Sequence, residues 1–146
     1  MQPYAERFGV TDMVREHPAR VPYVDVLNHL LHADGTLIVG STEAHYTPSK
    51  SFQAVQARRP LLALLHEAST AAEFLQRSNA ATVVTLAEER LPDPETLATT
   101  LAEFMRDTSY DPSNVRWELF EDYSARSSAK VLAEALDQAH ARATRR

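Results

Sequence analysis

The run Leu61-Leu62-Ala63-Leu64-Leu65, held between Arg59-Pro60 and the polar pair His66-Glu67, constrains the fold more than any other part of the chain. It is too short for an amphipathic helix and has no alternating polar side, so it reads as a strand buried on both faces. Two further segments read as strands. Thr36 to Gly40 is short and uniformly apolar and reads the same way, and Ala81 to Leu86, rich in Val and Thr, reads as a third strand.

Helical patterns fill the intervals. Arg20-Val21-Pro22-Tyr23 leads into Val24, Leu27, Leu30 and Leu31, a helix-spaced set that ends near Asp34-Gly35. Thr47-Pro48 opens a helix with Phe52, Val55 and Ala54 facing inward, closed by Arg59-Pro60. Thr70-Ala71-Ala72-Glu73 has the spacing of a capping box, ahead of the apolar Phe74 and Leu75. Asp93-Pro94 opens a helix carrying Leu97, Leu101, Phe104 and Met105, and Asp111-Pro112 opens another carrying Val115, Trp117, Leu119, Phe120 and Tyr123. A last helix carries Ala125, Ala129, Leu132, Ala133, Leu136 and Ala139, and the tail from Ala141 reads as frayed. Strands alternating with helices imply right-handed crossovers and a parallel sheet covered on both faces.

Composition narrows the function. A chain of 146 residues holds one domain's worth of core, and its formal charge of -5 lacks the basic footprint of a nucleic-acid binder. Zero cysteines exclude disulfides, thiol catalysis and Cys-ligated zinc. No run is long enough to span a bilayer, and the early Glu6, Asp12 and Glu16 interrupt any signal-peptide core. With only three glycines, Gly9, Gly35 and Gly40, the chain has neither a dinucleotide fingerprint nor a Walker loop.

Chemistry is therefore sought where a parallel sheet binds ligands, beyond the carboxyl ends of its strands. Those ends carry His45 to Lys50 and His66 to Thr70. In the first loop Thr47 is a good helix cap, Pro48 suits the first helical position, and Lys50 falls in the first turn, where a cation opposes the macrodipole. An anion at the helix start removes that conflict, because free N–H groups and the ammonium then converge on it; phosphate is the favoured anion.

Three stretches taken in order carry a family resemblance: Ala33-Asp34-Gly35-Thr36-Leu37-Ile38-Val39-Gly40, Tyr46-Thr47-Pro48-Ser49-Lys50-Ser51-Phe52-Gln53, and Arg59-Pro60-Leu61-Leu62-Ala63. They resemble the donor-binding, C-terminal half of a GT-B glycosyltransferase over roughly residues 13 to 139. In that family a Pro-(Ser/Thr)-Lys helix start follows an apolar strand, with a Glu three residues after the Lys and a Pro seven residues further on. Lys50 and Pro60 fit that spacing, while Gln53 stands where the family has its ribose-binding Glu. An amide gives up the charge-assisted bonds that a carboxylate makes to the diol. His45 stands where many retaining relatives have an acidic residue, which leaves the stereochemical class open.

The resemblance implies an α/β fold, a Rossmann-like parallel sheet with helices on both faces and a helical C-terminus. Residues 1–123 would form a partial donor-binding domain and 124–146 its C-terminal helix. It further implies a hexosyltransferase that uses a nucleotide-sugar as substrate, needs no cofactor or metal, and serves a polysaccharide, cell-envelope or lipid-linked glycan acceptor. On that reading the chain is a fragment lacking its N-terminal domain, inactive and self-associating alone. The whole enzyme would be cytoplasmic, at the periphery of the inner membrane.

Donor contacts then fall to Lys50 on the diphosphate, assisted by Ser49 and Thr47, to Gln53 on the ribose, to Tyr46 on the base or over the cleft, to His45 on the sugar, and to His66 on the sugar or phosphate. Each has an ordinary structural role beside the chemical one: Thr47 caps, Tyr46 packs at a strand end, and His66-Glu67 forms a polar loop. His29 and His32, three apart near Asp34, have metal-like spacing without a converging third ligand. Arg58-Arg59 suit a helix C-terminus, and Trp117, Phe120 and Tyr123 suit packing. The competing reading is a flavodoxin-like module that binds a phosphorylated ligand or a protein partner without chemistry.

Overall fold

A computed structural model describes residues 1–44, 46, 48–107 and 109–144. His45 and Thr47, and with them the expected cap at Thr47, lie outside the described residues. The chain runs α1 (Gln2–Arg7), a 3-10 turn (Thr11–Met13), α2 (Tyr23–His32), β1 (Thr36–Val39), α3 (Ser51–Gln56), β2 (Leu61–His66), α4 (Thr70–Arg77), β3 (Thr82–Leu86) and α5 (Pro94–Arg106). Two 3-10 segments (Pro112–Asn114 and Trp117–Tyr123) and α6 (Ala125–Ala143) complete it. This is an α/β fold of Rossmann-like kind, a three-stranded sheet flanked by helices, with a helical C-terminus.

The strand order is β1-β2-β3 and both pairings are parallel, with Leu37 beside Leu62 and Leu62 beside Thr82. Paired residues share a face, so Ile38, Ala63 and Val83 point one way and Leu37, Leu62 and Thr82 the other. The first face makes the main core: Leu61, Ala63 and Leu65 pack with Ala54 and Val55 of α3 and with Ala71, Ala72 and Leu75 of α4. On the other face Leu62 is wholly buried at the centre.

One strand departs from expectation. β1 is not buried on both faces, for Leu37 is 53% and Val39 65% exposed. It is the edge strand, and its second face lacks the cover that encloses the middle of the sheet.

Several helix boundaries move for identifiable reasons. α4 begins at Thr70 itself, so the cap position falls on Ser69, one residue before the expected one, because the Ser69 carbonyl takes the first helical bond from Glu73 N–H at 3.1 Å. Glu73 pairs with Arg77 at 3.3 Å, one turn along. The helix expected from Asp111-Pro112 is two 3-10 pieces instead. There the Arg116 N–H donates to the Ser78 carbonyl at 2.8 Å across the fold, and the Trp117 indole N–H to the Pro112 carbonyl at 2.9 Å, so the backbone bends inward at buried Val115. The N-terminal helix α1, with a Pro in its first turn, has no counterpart among the expected elements.

Asp93 caps α5 as its sequence predicts, its carboxylate accepting from Thr96 N–H at 3.0 Å. Ser124 caps α6 in the same manner, accepting from Ser127 N–H at 3.1 Å. No helix among the described residues is long and apolar enough to cross a membrane.

Candidate functional site

Parallel strands place their carboxyl ends along one rim, and the Gly40–Lys50 and His66–Ser69 connections leave from there into α3 and α4. A cleft of about 690 Å³ opens from this rim and runs along β1 between α2 and α3. Tyr46, Lys50 and Gln53 line it from one side, Arg20 and Tyr23 from the other, and Leu37 to Val39 form its floor. Three of the residues singled out in the sequence, Tyr46, Lys50 and Gln53, are thereby brought together. Ser49 and His66 are not among the lining residues.

Lys50 sits one position outside the helix it was expected to enter. The Ser51 amide and hydroxyl both donate to the Pro48 carbonyl, at 3.1 and 2.8 Å, which closes residues 48–51 as a turn. Regular helix starts at Ser51 and Lys50 occupies the cap position, exposed, with its carbonyl accepting from Ala54 N–H at 3.1 Å. The six residues of α3 give only a short stack of peptide dipoles behind that cation. Gln53, three residues on, is half-buried in the cleft wall.

His66 has a structural task. It is buried, and its Nδ1 accepts from the Ala68 N–H at 3.0 Å while its carbonyl accepts from Ser69 N–H at 2.9 Å, so it shapes the turn into α4. A proton on Nε2 is the tautomer that this bond selects. Glu67 turns outward and pairs with Arg90 in the loop after β3.

Arg59 carries one contact that spacing alone did not suggest. Its Nε donates at 2.9 Å to the carbonyl of Leu31 in the last turn of α2, fixing the far wall of the cleft to the α3–β2 turn. Arg58, with φ +53°, lays its guanidinium over the Trp117 ring at 5.2 Å. Arg20 and Tyr23 belong to the cleft, although their sequence announces only the lead-in to a helix; their place depends on how α2 lies against β1, which local spacing does not encode.

A second cavity of about 440 Å³ lies at the opposite, amino-terminal ends of β2 and β3, walled by Leu61, Thr82, Glu103, Tyr110 and Asp111. Burial pushes the Tyr110 phenol up, opposed by Arg58 and reinforced by Asp111. Hydrogen bonds from the Ser113 and Ser109 side chains and amides hold Asp111 and Asp107 below the usual carboxylate range. These interactions fix loop shape, and the fold gives this end no ligand-binding precedent comparable to the carboxyl rim.

No group of three potential metal ligands occurs among the described residues, and the His32 ring nitrogen Nδ1 lies 2.8 Å from the Asn28 carbonyl within its own helix. No family model, curated protein or solved structure matches this chain.

Proposed function

We propose that this chain is the nucleotide-sugar-binding part of a glycosyltransferase, with the donor lying in the cleft along β1. The observation that carries the reading is the convergence of Lys50, Gln53 and Tyr46 on one cleft at the carboxyl rim of a parallel sheet. Each supplies a different function. The Lys50 ammonium, exposed at the cleft wall, is a point charge for a diphosphate, most effective as the leaving nucleoside diphosphate gains charge. The Gln53 amide both donates and accepts, as a ribose diol requires, and Tyr46 offers an apolar ring with a polar tip for a base or sugar.

Arg20, on the facing wall, is a second cation for the same diphosphate or for an acidic sugar. An acceptor glycan and a further domain that presents it complete the proposal, since none of the described residues lining this cleft forms an acid–base pair for glycosyl transfer.

The test is a titration with UDP, GDP and ADP followed by calorimetry and by amide chemical shifts. The proposal expects one of them to bind in the cleft and Lys50→Ala to weaken it by about ten- to a hundredfold, the equivalent of one charge-assisted contact. Lys50→Arg restores part of the loss, because a planar fork does not replace a compact ammonium. Absence of nucleotide binding by the folded protein, or affinity unchanged in folded Lys50→Ala, overturns it.

A further inference from the structure

We propose that a third cavity, on the side of α3 opposite the donor cleft, is a binding site for a single aromatic ring carried by a small apolar ligand. The space is about 170 Å³, enclosed by α3, α4 and the Trp117–Tyr123 segment. Val55 and Leu75, 3% and 1% exposed, form its floor, and the rings of Phe52, Phe74, Phe120 and Tyr123 form its walls. Tyr123 is 60% exposed and stands at the mouth.

Size sets the first limit on the ligand. An apolar cavity of about 150 Å³ stays dry and takes up benzene, so this one matches one six-membered ring and is too small for a purine with its ribose. Polarity sets the second. Among the described residues, the Ser and Thr hydroxyls at its wall are those of Ser51 and Thr70, and the Ser51 hydroxyl is already donated to the Pro48 carbonyl. A pyrimidine or a sugar entering here would leave polar groups desolvated and unmatched, which rejects them in favour of a plain ring.

The rings of the wall form one cluster. Phe74 stands edge-to-face with Phe120 at 4.8 Å and 80° and with Tyr123 at 5.0 Å and 68°. Phe52 meets Phe120 at 89°. Phe52 and Tyr123 are also only 5.0 Å apart, so these rings already touch one another; a guest does not pass between them and meets the cluster from the side of Val55 and Leu75. The site is independent of the proposed donor cleft, which Lys50 and Gln53 line on the other side of the same helix.

Fluorobenzene is the probe, followed by fluorine NMR and thermal unfolding of the full chain, with uracil as the polar single-ring control. Fluorobenzene should bind saturably and raise the unfolding temperature, give fluorine-to-proton Overhauser contacts to Phe74 and Leu75, and outcompete uracil. Ala71→Ile, which adds carbon where Ala71 lines the cavity, should weaken binding by about tenfold or more. Circular dichroism checks that this variant folds, and the Overhauser contacts of the unaltered chain decide the question if it does not. Contacts confined to other residues, undiminished binding in folded Ala71→Ile, uracil binding as tightly as fluorobenzene, or no fluorobenzene binding at all each overturn the proposal.

Discussion

Strands β1 and β2 are made of similar side chains, yet Leu62 of β2 is wholly buried while its neighbour in register, Leu37 of β1, is 53% exposed. The same contrast separates Leu64, half-buried, from Val39, 65% exposed. The two strands differ in position and not in hydrophobicity. A central strand has a partner on each side and helices against it, whereas an edge strand keeps one free edge and, here, the floor of a cleft. The buried middle and the open border therefore divide the work: β2 with α4 holds the fold, and β1 with α2 and α3 shapes the space where a ligand fits.

The sharpest way to break this comparison is to truncate the two leucines in turn. Leu62→Ala should cost about 2–5 kcal/mol in urea unfolding, whereas Leu37→Ala should cost less than about 1 kcal/mol because much of its surface is already in water. Equal losses at the two sites would mean that β1 is covered in solution. Gly40→Ala tests the join between the regions. A Cβ there would lie 2.9 Å from Leu65 Cδ2 and 3.1 Å from the Leu64 carbonyl oxygen, and Leu65 is only 1% exposed, so a loss of about 1–3 kcal/mol is expected by the same measurement.

A smaller effect is expected from the cap of α5. Asp93→Ala removes the acceptor for Thr96 N–H and should cost about 1 kcal/mol, with Asp93→Asn recovering most of it. Smallest is the acid response of Asp111. Its folded pKa is depressed, first by the Ser113 hydroxyl and then by the Ser113 amide, so its contribution is present above the unfolded carboxyl range and lost as pH falls through the folded value. Following the urea midpoint from neutral to acid pH in the chain and in Ser113→Ala should show a shallower acid loss in the variant. An identical profile would remove the Ser113 hydroxyl as the main cause.

Much of the fold was legible because its signals are local. The apolar run Leu61 to Leu65, the Val- and Thr-rich run to Leu86 and the Asp93-Pro94 start each declare an element through a few consecutive residues. Leu61 to Leu65 pairs on both sides in parallel, as the alternation of strands and helices implies. Helix starts were less legible. At Pro48 and at Ser69 the deciding bonds come from the Ser51 hydroxyl and from His66, whose competing backbone contacts shift the first helical turn by one residue or more. At Arg116 the N–H reaches the Ser78 carbonyl, a partner 38 positions away, and no local pattern records it.

What the sequence determined by itself was therefore the set of strands, their order and the rim on which Lys50, Gln53 and Tyr46 would fall, since period, caps and crossover handedness are properties of short segments. Tertiary structure decided the rest. It made one apolar strand a core and another an edge, gave His66 to a turn, and drew Arg20 and Tyr23 across to face Lys50. It also gathered Phe52, Phe74, Phe120 and Tyr123 around a single cavity. Burial and convergence are set by which segments meet, and the free energy of that meeting belongs to pairs of distant residues and not to any one stretch of chain.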